Sequence, residues 1–135
     1  MDAEVRFSEG VTADHASVFE DDLRSAGLDI IEKVRGVEVE TISWLVLISL
    51  PMQSFLSSLG EDAYQTLKKA IRDLFKSAGE PESSAVLQDD LSGIQVILES
   101  DLPEDAYQQL RGLDLRQFSG VPLRYDRNEH CWRPE

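Results

Sequence analysis

A chain of 135 residues with one cysteine and a formal net charge of −13 is long enough to fold as a single domain, residues 1–135, without disulfides or metal. The negative charge argues against binding to nucleic acid or to anionic membranes, because both would need clustered Lys and Arg. The N-terminus lacks the apolar segment of a signal peptide, and no apolar run reaches the ~20 residues of a membrane span, so we expect a cytoplasmic protein.

The first part of the chain predicts a strand and then a helix. Residues 4–8 alternate polar and apolar side chains, which is typical of a half-buried strand. The helix that follows has a candidate N-cap at Thr12 or Asp14 and ends at Gly27. On its solvent side we place three consecutive acidic residues, which are Glu20, Asp21 and Asp22.

Residues 28–43 are rich in β-branched side chains and predict an irregular hairpin or an edge strand. Two short strands, at 30–34 and 37–40, would be joined by a turn at Arg35 and Gly36. The apolar alternation changes phase before the next strand, which predicts a bulge or a short loop near Glu40.

The longest apolar run predicts a central strand at 42–50, and Pro51 opens the helix after it. That helix extends over residues 52–77 with a kink near Gly60, or it divides into two helices with Glu61 in the first turn of the second. Because side chains alternate between the faces of a strand, one set would pack on this helix and the other would face a partner. The two sets are Trp44, Val46 and Ile48 on one face and Leu45, Leu47 and Ser49 on the other.

The second half of the chain predicts mainly strands. Strands at 85–88 and 94–98 flank a loop that ends at Gly93, and a short helix follows at 103–110. With a last hairpin at 122–132, the order of elements is β-α-β-β-α-β-β-α-β-β. This order predicts an α+β fold: a mixed, largely antiparallel sheet with two main helices on one face and a short third helix.

The C-terminal hairpin contains a candidate contact surface. We pair Tyr125 with His130 and Leu123 with Trp132 across the turn. Since Trp and Tyr are enriched at interface hot spots, Tyr125 and Trp132 beside Arg124 would form the surface. The alternative is a terminal hairpin that closes the core.

One short segment occurs twice, because residues 61–67 and 104–110 differ at a single position. The residues around the two copies do not extend the match. Acidic residues in the first turn of a helix complement its dipole, so two similar helix openings explain the similarity better than a duplicated unit does.

No pattern in the sequence predicts catalysis. His130 and Cys131 are neighbours, and neighbouring side chains of a strand point to opposite faces, so they do not form a thiol–imidazole pair. Two histidines and one cysteine match no zinc site, and no phosphate-binding or dinucleotide-binding glycine motif occurs. We therefore expect no catalytic residue, no cofactor and no metal, in a protein that is not an enzyme.

The net charge is explained by solubility alone, or by steering toward a basic protein partner, and the composition does not separate the two. As a function we expect the binding of another protein, one with a basic surface if charge steers the association. In size, class and charge the chain resembles the small acidic α/β proteins that bacteria encode beside toxins or immune effectors, as immunity proteins or accessory subunits. No motif carries this resemblance. The alternative is a small-ligand sensor or a non-catalytic enzyme subunit, with a homodimer formed through the sheet. The candidate partner-binding residues are Glu20, Asp21, Asp22, Arg124, Tyr125 and Trp132.

Overall fold

The computed structural model describes residues 1–8, 11–37, 44–58, 60–78, 84–99, 102–114 and 122–134, without the side chains of 35–37, 61, 64, 77, 78 and 111. The strands and helices follow one another in the order that the sequence predicts, with two helices between the third and fourth strands, and they confirm the α+β class. The strands are β1 (Asp2–Ser8), β2 (Asp29–Val37), β3 (Trp44–Leu50), β4 (Ser84–Asp89), β5 (Gln95–Glu99), β6 (Leu123–Asp126) and β7 (Cys131–Pro134). The helices are α1 (Ala13–Ser25), α2 (Met52–Ser58), α3 (Glu61–Ala78) and α4 (Glu104–Arg111).

The seven described strands form one mixed sheet in the order β2-β1-β3-β4-β5-β6-β7. Three neighbouring pairs are parallel, namely β1 with β2, β3 with β4 and β5 with β6. The other three neighbouring pairs, β1 with β3, β4 with β5 and β6 with β7, are antiparallel. Each parallel pair is connected through helices, so the described chain consists of three β-α-β units followed by β7.

All four described helices lie on one face of the sheet. Phe7 of β1 meets Phe19 of α1 edge to face, with ring centroids 6.0 Å apart. Paired residues on the same face as Phe7 continue across the sheet to Trp132 in β7. There the Trp132 indole N–H donates to the backbone oxygen of Ala106 in α4 at 2.9 Å. The core therefore lies between this face and the helices.

The third β-α-β unit has the opposite hand from the first two. In the first unit, β1-α1-β2, the chain moves from β1 to the edge of the sheet formed by β2. In the second unit, β3-α2-α3-β4, the strands run antiparallel to β1, and the chain moves toward the opposite edge of the sheet. With helices on the same face, these two units share a hand. The third, β5-α4-β6, runs parallel to β1 but advances as the second does, which reverses its hand. Parallel crossovers are right-handed in about 98% of cases, so one hand here is exceptional.

The reversed hand bears on the repeated segment. The two copies open α3 and α4, which begin at Glu61 and Glu104. Those helices belong to units of opposite hand, and no rotation superposes such units. The structure therefore favours the interpretation of two similar helix openings over a duplicated unit.

The hairpin predicted within residues 28–43 is wrong where the structure describes it. β2 continues through Arg35 and Gly36 as one strand that pairs parallel to β1. The register of this pairing shifts between Ala3 and Glu4 and between Arg6 and Ser8. The irregularity that the sequence analysis assigned to a turn is therefore found in the pairing of two continuous strands. Residues 38–43 are not among the described residues, so the strand expected at 37–40, apart from Val37, and the bulge expected near Glu40 lie outside the described part of the chain.

The structure also decides two further boundaries. Of the two alternatives for the segment after Pro51, it confirms two helices, because α2 ends at Ser58 and α3 begins at Glu61, beside Gly60. In the last hairpin Tyr125 pairs with Trp132, two residues from the predicted register. The reason is that the four-residue turn lies one residue further along the chain, at 127–130, where the Asp126 carboxylate accepts from the backbone N–H groups of Asn128 and Glu129. Of the helices in the described ranges, none has the length and apolar character needed to cross a membrane.

Candidate functional site

Tyr125 and Trp132 do not form a surface patch. They are 4% and 5% exposed, and their rings meet edge to face at 5.5 Å beneath α4. This corrects the predicted contact surface in favour of a terminal hairpin that closes the core. Burial, with the negative charge of Asp105 nearby, raises the pKa of the Tyr125 hydroxyl above its usual value. That hydroxyl has no hydrogen-bond partner in the structure.

The arginines of the hairpin lie on the other face of the sheet and are held by carboxylates. Arg124 Nη1 contacts Glu99 Oε1 at 3.1 Å, and Arg127 Nη2 contacts Glu99 Oε2 at 3.3 Å. Arg133 forms a similar pair with Asp126, at 3.3 Å. The backbone N–H groups of Glu129 and Asn128, together with Arg133, keep the pKa of Asp126 below its usual value. Arg124 is therefore separated from the aromatic pair with which the sequence grouped it.

The face of the sheet turned away from the helices has a shielded apolar centre. A row of paired residues crosses it from Arg6 through Leu47, Val86 and Ile97 to Arg124. Val86 and Ile97 are each 1% exposed. Of the two sets predicted for the central strand, Leu47 and Ser49 face away from the helices, and Val46 and Ile48 face them. Leu45 departs from the predicted alternation, because the pairing of β3 with β4 is irregular between Trp44 and Val46 and Leu45 is buried in the same core cluster as Val46. A homodimer through the sheet stays a prediction.

The acidic run of α1 is divided between two surfaces. Asp21 is exposed and pairs with Arg24 at 3.0 Å, whereas Asp22 is half-buried on the side of the helix that faces α3. Glu20 is only 4% exposed and points toward β2, so its predicted place on the solvent side is wrong. A signal for this was present in the sequence, because Ala16, Phe19, Glu20 and Leu23 have the i, i+3, i+4, i+7 spacing of a buried stripe.

Glu20 is held by a single described ion pair, in which Lys33 Nζ approaches its Oε2 at 3.4 Å. The two side chains line a polar cleft of about 280 Å³ between α1 and β2, together with Ala13, Ala16 and Ser17. Burial of a carboxylate is unfavourable unless a cation and hydrogen bonds compensate it. Lys33 is therefore expected to stabilise the packing of α1 on the edge strand.

Lys33→Met is expected to lower the free energy of unfolding by about 1–2 kcal/mol at neutral pH, because Glu20 then keeps a buried charge without its cation. Loss of a partner in a fully buried pair costs about 3–5 kcal/mol, and the smaller figure reflects the 61% exposure of Lys33. Urea unfolding measures the change. Lys69→Met, at an exposed lysine, is the matched control and should leave stability unaltered. Adding Glu20→Gln to Lys33→Met should recover most of the loss; equal stability of Lys33→Met and wild type would contradict the argument.

A second cleft lies between α1 and α3, and we call it the α1–α3 groove. Its volume is about 140 Å³, and its lining is mainly apolar. Val18 is 58% exposed at its edge and, like Ile31 and Leu91, is one of the exposed apolar side chains among the described residues. The groove is lined by His15, Val18, Phe19 and Asp22 of α1 and by Ala70, Asp73 and Leu74 of α3.

The charges at the α1–α3 groove are two carboxylates, one on each wall. Asp22 and Asp73 lie on opposite helices, and neither forms an ion pair with any described residue. The His15 ring contacts the N-cap hydroxyl of Thr12 through Nδ1 at 2.9 Å. Sequence reasoning found Asp22 but missed Val18 and Asp73, because the groove joins helices that are distant in the sequence.

The described residues contain no group of three or more His, Cys, Asp and Glu side chains that could hold a metal ion. Comparisons with protein-family models, with curated proteins and with solved structures find no match for this chain. The fold defines an α+β protein whose mixed sheet carries its described helices on one face. Its candidate sites are the α1–α3 groove and the cleft at Glu20.

Proposed function

We propose that this chain is a small acidic, non-enzymatic domain that binds a basic protein, as a cytoplasmic immunity-type inhibitor or an accessory subunit of a toxin or effector system. The observation that supports the proposal is the exposed Val18, which lies at the groove with Asp22 and Asp73, two carboxylates that form no ion pair with a described residue. An apolar side chain within a ring of charge is typical of an interface, in which the apolar contact provides affinity and the charges provide orientation.

Electrostatics would set the rate at which such a partner binds. The net charge of −13 gives the protein a negative field at long range. On α1, Asp14 is exposed close to the groove, and Asp22 forms part of its wall. A basic protein is therefore attracted at long range and oriented by the exposed carboxylates of α1, and salt weakens this attraction.

An alternative function, the sensing of a small ligand, is supported by the cleft at Glu20. A buried carboxylate beside the ammonium of Lys33 would suit a zwitterion such as an amino acid. A thermal-shift measurement with amino acids tests it, since a ligand at 100 times its Kd adds about 2.7 kcal/mol of stability. The groove has the stronger support, because Glu20 and Lys33 already satisfy each other.

The proposed function is tested by mixing the purified protein with the products of the genes adjacent to its own and measuring binding at about 50 and 300 mM salt. We expect one product to bind, more weakly at the higher salt. Asp14→Asn with Asp22→Asn should reduce affinity on the order of 10-fold, which corresponds to about 1.4 kcal/mol. Asp90→Asn with Glu129→Gln removes the same charge elsewhere and should change it less than about twofold. If no product binds at low salt, the proposal is rejected.

A further inference from the structure

We infer that the α1–α3 groove is a socket for one basic side chain, an arginine or a lysine, of the partner; this inference rests on the proposed function and specifies its contact. The groove volume of about 140 Å³ decides what kind of group it takes. Cavities of about 150 Å³ hold a benzene-sized group, whereas sites for cofactors and drug-sized ligands have about 300–1,000 Å³. The groove therefore accepts one side chain and is too small for a nucleotide or a flavin.

The lining selects a side chain that is apolar along its length and charged at its end. Phe19, Ala70 and Leu74 are each no more than 3% exposed and form an apolar floor. Val18 extends this apolar surface to the outside. Arginine and lysine bury their aliphatic stems on apolar surfaces while the cation stays near the water, which is the arrangement that this lining requires.

The two carboxylates of the groove favour an occupant with a positive charge. Asp22 and Asp73 line the groove from different helices, so both walls of the groove carry a negative charge. The exposed lysines of α3, Lys69 and Lys76, form no ion pair with either carboxylate. A planar guanidinium offers several N–H donors in fixed directions, and it can bind two carboxylates together. Arginine is therefore the better occupant of the two.

Other occupants fit the groove less well. A purely apolar side chain would remove water from Asp22 and Asp73 without replacing their hydrogen bonds, and such desolvation is costly. A second copy of this chain would bring another surface of net charge −13 against the same carboxylates. The electrostatic field of the protein thus selects a basic partner, and the groove selects its arginine.

The socket is tested without the partner by titrating the protein with n-butylguanidinium, a mimic of the arginine side chain, and following methyl resonances by NMR. We expect saturable shifts at Val18 and Ala70 with a Kd on the order of 10 mM, as small fragments bind weakly. Neither n-butanol nor butyrate should produce them. Asp22→Asn with Asp73→Asn should raise the Kd at least fivefold, while Asp90→Asn with Glu129→Gln should leave it unchanged.

The outcomes of this titration separate the socket from the proposed function. No saturable shift at Val18 up to about 50 mM, or equal binding by the Asp22 and Asp73 variant, would overturn the socket. A partner whose affinity is unaffected by Val18→Arg, which places a competing cation at the groove, would also overturn it and leave the proposed function standing. Butylguanidinium binding in the groove with no partner among the neighbouring gene products would reject the proposed function alone. Val18 is exposed, so thermal unfolding should show that Val18→Arg still folds.

Discussion

Trp132→Ala is expected to lower the free energy of unfolding by about 3–5 kcal/mol, the usual loss when a large aromatic side chain is removed from a core. Trp132 is 5% exposed, packs edge to face on Tyr125 and donates its indole N–H to the backbone oxygen of Ala106. Its removal leaves a cavity under α4 and takes away the indole N–H that the Ala106 carbonyl accepts. Urea unfolding followed by far-UV circular dichroism measures the loss.

Conservative variants of Trp132 and Tyr125 separate the contribution of ring packing from that of hydrogen bonding. Trp132→Phe keeps part of the ring contact but loses the N–H donor, and it should cost about 1–3 kcal/mol. Tyr125→Phe removes a hydroxyl that has no hydrogen-bond partner, so its stability should equal or exceed that of wild type. If Trp132→Ala were as stable as wild type, the ring would not be in the core, and the contact surface predicted from sequence would return as the better explanation.

Asp89→Ala is expected to lower the free energy of unfolding by about 2–3 kcal/mol, because one carboxylate joins three elements. Its Oδ1 accepts from the backbone N–H of Met52 at the start of α2, at 3.1 Å. Its Oδ2 accepts from the backbone N–H and the hydroxyl of Ser92, at 2.9 and 2.7 Å. Ser92→Ala removes only the hydroxyl bond and should cost about 1 kcal/mol, which provides a graded comparison.

Acid should remove the contribution of Asp89. Burial alone would raise the pKa of this carboxyl, but hydrogen bonds from Ser92 and Met52 outweigh it and hold the pKa below its usual value of 3.8. The stabilisation is therefore complete above the pKa of the unfolded chain and is lost as the pH falls through the lower pKa of the folded protein. The stability difference between wild type and Asp89→Asn should be constant from about pH 5 to 7 and shrink below about pH 4. A difference that persists unchanged to about pH 2 would show that the charge is irrelevant to the cap.

The sequence could indicate the wall of the α1–α3 groove that α1 forms, but not the wall that α3 forms. The acidic run at residues 20–22 directed attention to α1, and helical spacing places Asp22 on the same side as His15 and Val18. Nothing local indicates that α3 lies beside that side, since Asp73 is distant in the sequence. The same spacing, applied strictly, would have assigned Glu20 to the buried stripe. Three consecutive acidic residues suggest one acidic surface, but successive side chains of a helix point in different directions, so these three face different surroundings.

The sequence alone determined the order of strands and helices, the α+β class and the alternation of faces from Val46 to Ser49 of β3, because these depend on local apolar periodicity and on caps such as Thr12 and Gly27. Tertiary structure decided the parallel pairing of β2 with β1, the reversed hand of β5-α4-β6, the burial of Trp132 and the surroundings of Glu20 and Asp22. Each of these depends on which element lies against another. A local pattern shows that a face is apolar or charged, and only the packed fold determines what that face meets.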